Sequence, residues 1–204
     1  MRVFDPADHS PSDMYKLMIG AIVPRPIAFV STVDAKGVMN LAPFSYFTAC
    51  GSNPPVVLFC CSVRLGPLPQ KDTLTNIRAT GEFVVNVVTE EIAEQMNATA
   101  AEAPPEVDEF ELSGLTPQPS ELVKPPRVAE SKVQMECRLR QIIEVSNKPR
   151  GGNLVLGEVL RIHVLESVLL DTYKIDPDRL NAVGRMGGPS YVRTHDRFDM
   201  QRPK

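Results

Sequence analysis

The 204-residue sequence predicts a mainly β protein with a few short helices, folded as a small Greek-key barrel in a single domain spanning residues 1–204. Apolar and β-branched runs recur at Pro26–Val33, Val38–Ala42, Val56–Cys61, Phe83–Val88, Lys132–Ile143 and Leu154–Leu165. Val133, Met135, Cys137 and Leu139 alternate with Gln134, Glu136, Arg138 and Arg140, which puts one face of a strand in a core and the other in water. No internal repeat, low-complexity tract or linker divides the chain, and its length suits one sizeable core.

Taken in order, the first two runs flank Asp34-Ala35-Lys36-Gly37, whose Asp and Gly are tight-turn residues, so the pair reads as a β-hairpin. After the run at 56–61, Asp72 is expected to cap a helix through Thr80, with Gly81 as its left-handed stop. The run at 83–88 leads to a second helix over Thr89–Ala98, with Thr89 as the cap and Glu90 and Glu91 in the first turn. Between Ala100 and Pro126 six prolines remove donors from any central strand, so this stretch reads either as an ordered excursion over the barrel or as a mobile surface loop. In the last run, Gly157 and Glu158 break simple alternation and mark a bulge. His163 shares a face with Arg161, and a solvent or interface position is its ordinary reading beside a role in guiding a nicotinamide.

Composition narrows the function classes. Apolar content of 43% with 23% charged residues is ordinary for a globular protein, and no run approaches the ~20 apolar residues of a membrane span. The polar, acidic start Met1–Asp13 is unlike a signal peptide, so a cytoplasmic protein is expected. A net charge of −3 gives the chain no general pull towards nucleic acid or anionic lipid. Cys50, Cys60, Cys61 and Cys137 form no CxxC pair, and His9, His163 and His195 lack metal-ligand spacing, so buried free thiols and no metal are expected.

Two segments carry candidate chemistry. Ser62 to Thr73 ends where a helix begins, and the first N–H groups of a helix hold anions. Lys71 adds a charge and Ser62 and Thr73 add hydroxyls, while Asp72 opposes a phosphate, so an ordinary capped surface helix stays open. In Asn40 to Phe47, small or proline side chains at Ala42 and Pro43 let a flat ligand approach the backbone. Asn40 and Ser45 offer hydrogen bonds there, and Phe44, Tyr46 and Phe47 line a ring pocket or belong to the core.

These segments, with others in order, resemble the flavin reductase-like, FMN-binding split-barrel family, and its flavoredoxin-type branch most closely. The resemblance runs over residues 10–195: Arg25 to Thr32, Asn40 to Phe47, Pro54 to Val57, Lys71 to Thr73 with Asn76 and Ile77, Thr80 to Asn86, and Arg185, Gly187, Gly188 and Tyr191. It implies a Greek-key split β-barrel, a homodimer, and one FMN in a groove at the dimer interface. By the same resemblance Asn40, Leu41, Ala42, Pro43 and Ser45 contact the isoalloxazine, with Thr32 beside it. Ser62, Lys71 and Thr73 hold the phosphate, and Asp72 is a helix cap offset by Lys71. Arg25 contacts the flavin's polar edge or the phosphate, and Tyr191 covers the ring.

The implied activity is reduction of bound FMN by NADH or NADPH, with electrons passed to an acceptor, which includes a redox partner protein. The cofactor carries that chemistry, so no catalytic triad or carboxylate pair is required, and no catalytic side chain is singled out. An electron carrier reduced by a partner, and a flavin-free binding module for another flat ligand such as haem, remain as alternatives. The absence of a Gly-rich dinucleotide fingerprint weighs against a Rossmann site only.

Overall fold

The computed structural model describes residues 1–65 and 70–203. Its helices are α1 (Pro11–Ala21), α2 (Asp72–Thr80), α3 (Ala93–Ala98), α4 (Glu109–Ser113) and α5 (Pro177–Leu180). The first strands are β1 (Ala28–Val33), β2 (Met39–Phe44), β3 (Phe47–Ser52), β4 (Pro55–Ser62) and β5 (Glu82–Val87). The short strands β6 (Pro117–Gln118) and β7 (Arg127–Val128) precede the long pair β8 (Val133–Glu144) and β9 (Gly152–Val164). The chain ends with β10 (Leu169–Asp171), β11 (Lys174–Ile175), β12 (Val183–Arg185) and β13 (Tyr191–Arg193).

The 34–37 turn forms as expected: Asp34 Oδ1 accepts from the N–H groups of Lys36 and Val38, and Gly37 takes φ 91°. β1 and β2 therefore pair as a hairpin, with Thr32 opposite Asn40. Seven strands make one antiparallel sheet in the order β2-β1-β5-β8-β9-β4-β3. Its two edges, β2 and β3, are joined only by Ser45 and Tyr46, which brings them to one corner. There the Cys60 N–H donates to Tyr46 O at 2.9 Å, and the Phe44 and Phe59 rings meet at 4.9 Å. The sheet is thus curled into a barrel that stays split between β2 and β3.

Curvature comes from two irregularities in the longest ladder. Leu160 is extra on β9 opposite the Glu136–Cys137 step, and Arg140 is extra on β8 opposite Gly157 and Leu156. The bulges thus fall beside Gly157 and Glu158 rather than on them. Gly157 has a different reason: a Cβ there would be driven into the Phe83 ring.

Inside the barrel lie Val30, Phe59, Phe83, Val85 and Cys137, and α2 adds Leu74 and Ile77. A second core forms on the outer face, where Phe29, Leu41 and Val88 meet Met96, Phe110, Leu115 and Val128. All six residues of β1 are consequently buried. The proline-rich 100–126 stretch is the ordered cover of this second core, held by α4 and the β6–β7 ladder.

That cover overturns the two-faced reading of β8 in its first half, while Arg138 and Arg140 are exposed as expected. Gln134 and Glu136 are buried rather than in water: Gln134 donates to the carbonyls of Val128 and Ser131, and Glu136 accepts the N–H groups of Glu121 and Leu122. Two helix starts also differ. Lys71, not Asp72, occupies the cap position of α2, and no side chain caps it. Gly81 ends α2 at φ 72° as expected. Thr89 makes no cap hydrogen bond, and its helix divides into a 3-10 turn at Glu90–Ile92 followed by α3. Among the described residues no helix is long and apolar enough to cross a membrane.

Candidate functional site

A buried polar network ties β1, β2, α2 and α4 together. Thr32 Oγ1 donates to Asn40 Oδ1 at 3.2 Å and accepts from Asn76 Nδ2 at 3.0 Å. Thr73 Oγ1 donates to the same Asn40 oxygen at 2.8 Å. Asn40 Nδ2 donates to Glu109 Oε1 at 2.9 Å, and the other Glu109 oxygen accepts the Leu41 N–H at 3.1 Å. Both partners of Glu109 are donors, so the carboxylate form suits this position, although burial raises its pKa. The network uses its polar groups internally and fixes the first turn of α2, which places Lys71.

Lys71 opens onto a cavity of about 490 Å³ at the split corner of the barrel. Tyr15, Pro43, Phe44, Tyr46 and Cys60 form its aromatic and apolar wall, with Ser45 beside them. Ser62, Arg64, Lys71 and Arg150 also line it, and Glu102 is the carboxylate in the lining. Lys71 Nζ lies 5.4 Å from the Phe44 ring centroid, and Arg150 lies 4.6 Å over the Tyr15 ring. Burial, and then the Arg64 cation, pull the Lys71 ammonium below its ordinary pKa. Arg150 reaches the cavity because its N–H donates to Val63 O while the Val63 N–H donates to Gly151 O, docking the β8–β9 turn onto the end of β4.

Arg64 is only partly satisfied. Nη1 donates to Gln70 O at 3.3 Å, Nη2 is 3.6 Å from Asp72, and Nε is buried with no hydrogen-bond partner among the described residues. A buried guanidinium N–H without an acceptor is costly, and an anionic oxygen in the cavity would relieve it. α2 lacks a side-chain cap, and since the Leu74 N–H already donates to Lys71 O, the N–H groups of Asp72 and Thr73 are the ones its first turn leaves without a partner inside the helix. This donor set fits a phosphate group, and the aromatic wall alongside fits a flat ring.

The residues singled out from sequence take distinct places. Pro43, Ser45, Ser62 and Lys71 line the cavity, and Asp72 borders it through Arg64. Thr32, Asn40 and Thr73 are the buried network behind it. Leu41 lies in the outer core, and Ala42 packs on the inner one. Arg25 is buried, its guanidinium donating to the carbonyls of Ile19, Ile22 and Met186 and to Ser45 Oγ at 3.3 Å. Tyr191 stands apart from the cavity lining, with Arg185 over its ring and its hydroxyl donating to Asn97. The Gly66–Pro69 part of the expected phosphate turn lies outside the described residues.

Sequence reasoning passed over Tyr15, Arg64, Glu102 and Arg150. Tyr15 was findable through its helix: Ser10 caps α1 by accepting the Asp13 N–H, with Pro11 at the first helical position. For Arg150 only the fold gives a signal.

The barrel, with a cavity at its split corner lined by cations and aromatic rings, defines a split-barrel protein. The chain belongs to the flavin reductase like domain family, which matches residues 19–176. It is similar to nitrilotriacetate monooxygenase component B from Bacillus cereus, at 36% identity and TM-score 0.92 over 98% of each chain. It is also similar to the 2-nitrobenzoate 2-nitroreductase of Pseudomonas fluorescens, at 31% identity and TM-score 0.88 over 99% of this chain and 96% of that one. The flavoredoxin of Desulfovibrio vulgaris shares the fold, at 24% identity and TM-score 0.75 over 88% of this chain and 91% of that one. A flavin-related oxidoreductase function follows at that level of description.

Proposed function

We propose that this chain is an FMN-dependent oxidoreductase of one domain, reduced by NADH or NADPH and passing electrons to an acceptor. The observation that carries the reading is a cavity lined by both cations and aromatic rings, in which Arg64 Nε has no hydrogen-bond partner among the described residues. In this reading Arg64, Lys71, Ser62 and the first turn of α2 hold the phosphate. Pro43, Ser45 and the aromatic wall hold the ring, and Ser45 is itself positioned by Arg25. Thr32, Asn40 and Thr73 act one layer back, by fixing β2 and α2, and Tyr191 holds the C-terminal strands rather than the ring.

Bound flavin supplies hydride and one-electron transfer, so the chain's own work is to bind, orient and screen it from water. Acceptors of two kinds suit the reading: the relative from Bacillus cereus is a component of a monooxygenase, and that from Pseudomonas fluorescens is a nitroreductase. The reading includes a homodimer in the cytoplasm. Ile162 and Leu165 near the end of β9 are 54% and 52% exposed, apolar surface that a second copy would cover. Light scattering checks this part, with the dimer mass expected and a monomer contradicting it.

Gel filtration of the protein mixed with FMN tests the binding step. Flavin absorbance is expected to co-elute with wild-type protein and to be lost with the double variant Arg64→Ala/Lys71→Ala. Equal retention by both would remove the proposed phosphate site.

A further inference from the structure

We propose that Glu102 is an internal competitor for the phosphate-binding cation of this cavity, a carboxylate that keeps a phosphorylated flavin exchangeable. The proposal rests on the functional reading above and goes beyond it by naming what sets the residence of the ligand.

Glu102 lies in the lining together with Arg64, Lys71 and Arg150, so it faces the same space a phosphate would take. Its Oε1 is 3.8 Å from Arg64 Nε, within ion-pair reach but too long for a hydrogen bond. The two ends of this pair differ sharply: the Glu102 side chain is 75% exposed and that of Arg64 is 14% exposed. Withdrawing Glu102 into water therefore costs little, whereas Arg64 cannot leave the wall. Asp72 already flanks the other side of the guanidinium at 3.6 Å, so a phosphate brought to Nε meets a cation shared between two carboxylates.

Two anions contend for one nitrogen. A phosphate dianion makes the short charge-assisted contact that Glu102 does not make, and displaces it. When the ligand leaves, Glu102 returns to the Nε edge of the guanidinium, complementing Asp72 at Nη2 and offsetting the cost of a largely buried charge. An unphosphorylated flavin leaves Glu102 in place. The carboxylate thus lowers affinity for FMN specifically and speeds its release, which suits a protein that exchanges flavin rather than retaining it.

The test uses the full chain and titrates FMN and riboflavin by quenching of flavin fluorescence, with wild type, Glu102→Gln and the control Glu106→Gln. Glu106 is exposed, does not line the cavity, and gives the same change in net charge. Glu102→Gln is expected to tighten FMN by about three- to fivefold and slow its release, leaving riboflavin unchanged. Glu106→Gln is expected to change neither. Unaltered FMN affinity in Glu102→Gln, or an equal gain for riboflavin, overturns the proposal while leaving the cavity reading standing if wild type prefers FMN to riboflavin. Equal affinity of wild type for the two flavins overturns the phosphate site and this proposal together.

Discussion

Lys71 is held in a place that disfavours its own charge, between burial and the Arg64 guanidinium, and a dianionic ligand offsets both effects. Lys71→Ala is therefore expected to weaken FMN by about 10- to 100-fold, the worth of a hydrogen bond to a charged group, and to leave riboflavin binding unchanged. Fluorescence titration of the two flavins checks it. Arg25 has the opposite economy, since its donors go to three carbonyls and one hydroxyl of the protein itself. Arg25→Ala is expected to cost about 3 kcal/mol of stability by stranding those acceptors, read as a drop in the denaturant midpoint. As a sequence feature Arg25 is simply a cation before a strand, and its clamp becomes visible only when α1, β2 and the 185–187 turn converge. Gly157 is equally opaque alone, because its constraint is the Phe83 ring from another strand. Gly157→Ala is expected to lower stability by about 1–3 kcal/mol through overpacking, checked by thermal melting.

At the scale of elements, the strands that combine an apolar face with β-branched residues were legible, and the six expected runs match β1, β2, β4, β5, β8 and β9. β3 was not, because Thr48, Ala49, Cys50, Gly51 and Ser52 form an exposed edge with little apolar signal. The buried side of β8 hid for a different reason: its cover arrives from the 117–128 excursion, far away in sequence. Burial pushes the Glu136 carboxyl up, but the N–H groups of Glu121 and Leu122 and the His163 ring at 2.6 Å outweigh it and hold the pKa below its ordinary 4.5. A carboxylate depressed in this way stabilises the fold above its unfolded pKa, and that contribution is lost as pH falls through the folded value. Docking of the excursion is thus expected to loosen below pH 4.5, seen as faster hydrogen exchange at the Glu121 and Leu122 amides. Glu136→Gln, which turns one acceptor into a donor, is expected to loosen them already at neutral pH. Unchanged exchange in that variant would contradict the role given to Glu136.

On the scale of the whole molecule, the barrel places β2, the start of α2 and the β8–β9 turn around one corner, and the cavity is the product of that convergence. The sequence showed half of this corner, the segments 40–47 and 62–73, because they are contiguous and rich in small, hydroxyl and cationic residues. The other half, Tyr15 and Arg150, comes from distant segments whose only link to the cavity is the fold. The central claim is that this corner holds a flavin that nicotinamide reduces. Absorbance of the FMN-loaded protein under anaerobic conditions, before and after adding NADH or NADPH, tests it most directly. Bleaching of protein-bound flavin by one of the two nucleotides, abolished in Arg64→Ala/Lys71→Ala at limiting FMN, is the predicted result. Bound flavin that neither nucleotide bleaches would contradict the reductase reading, and flavin that stays unbound at any concentration would contradict the cavity itself.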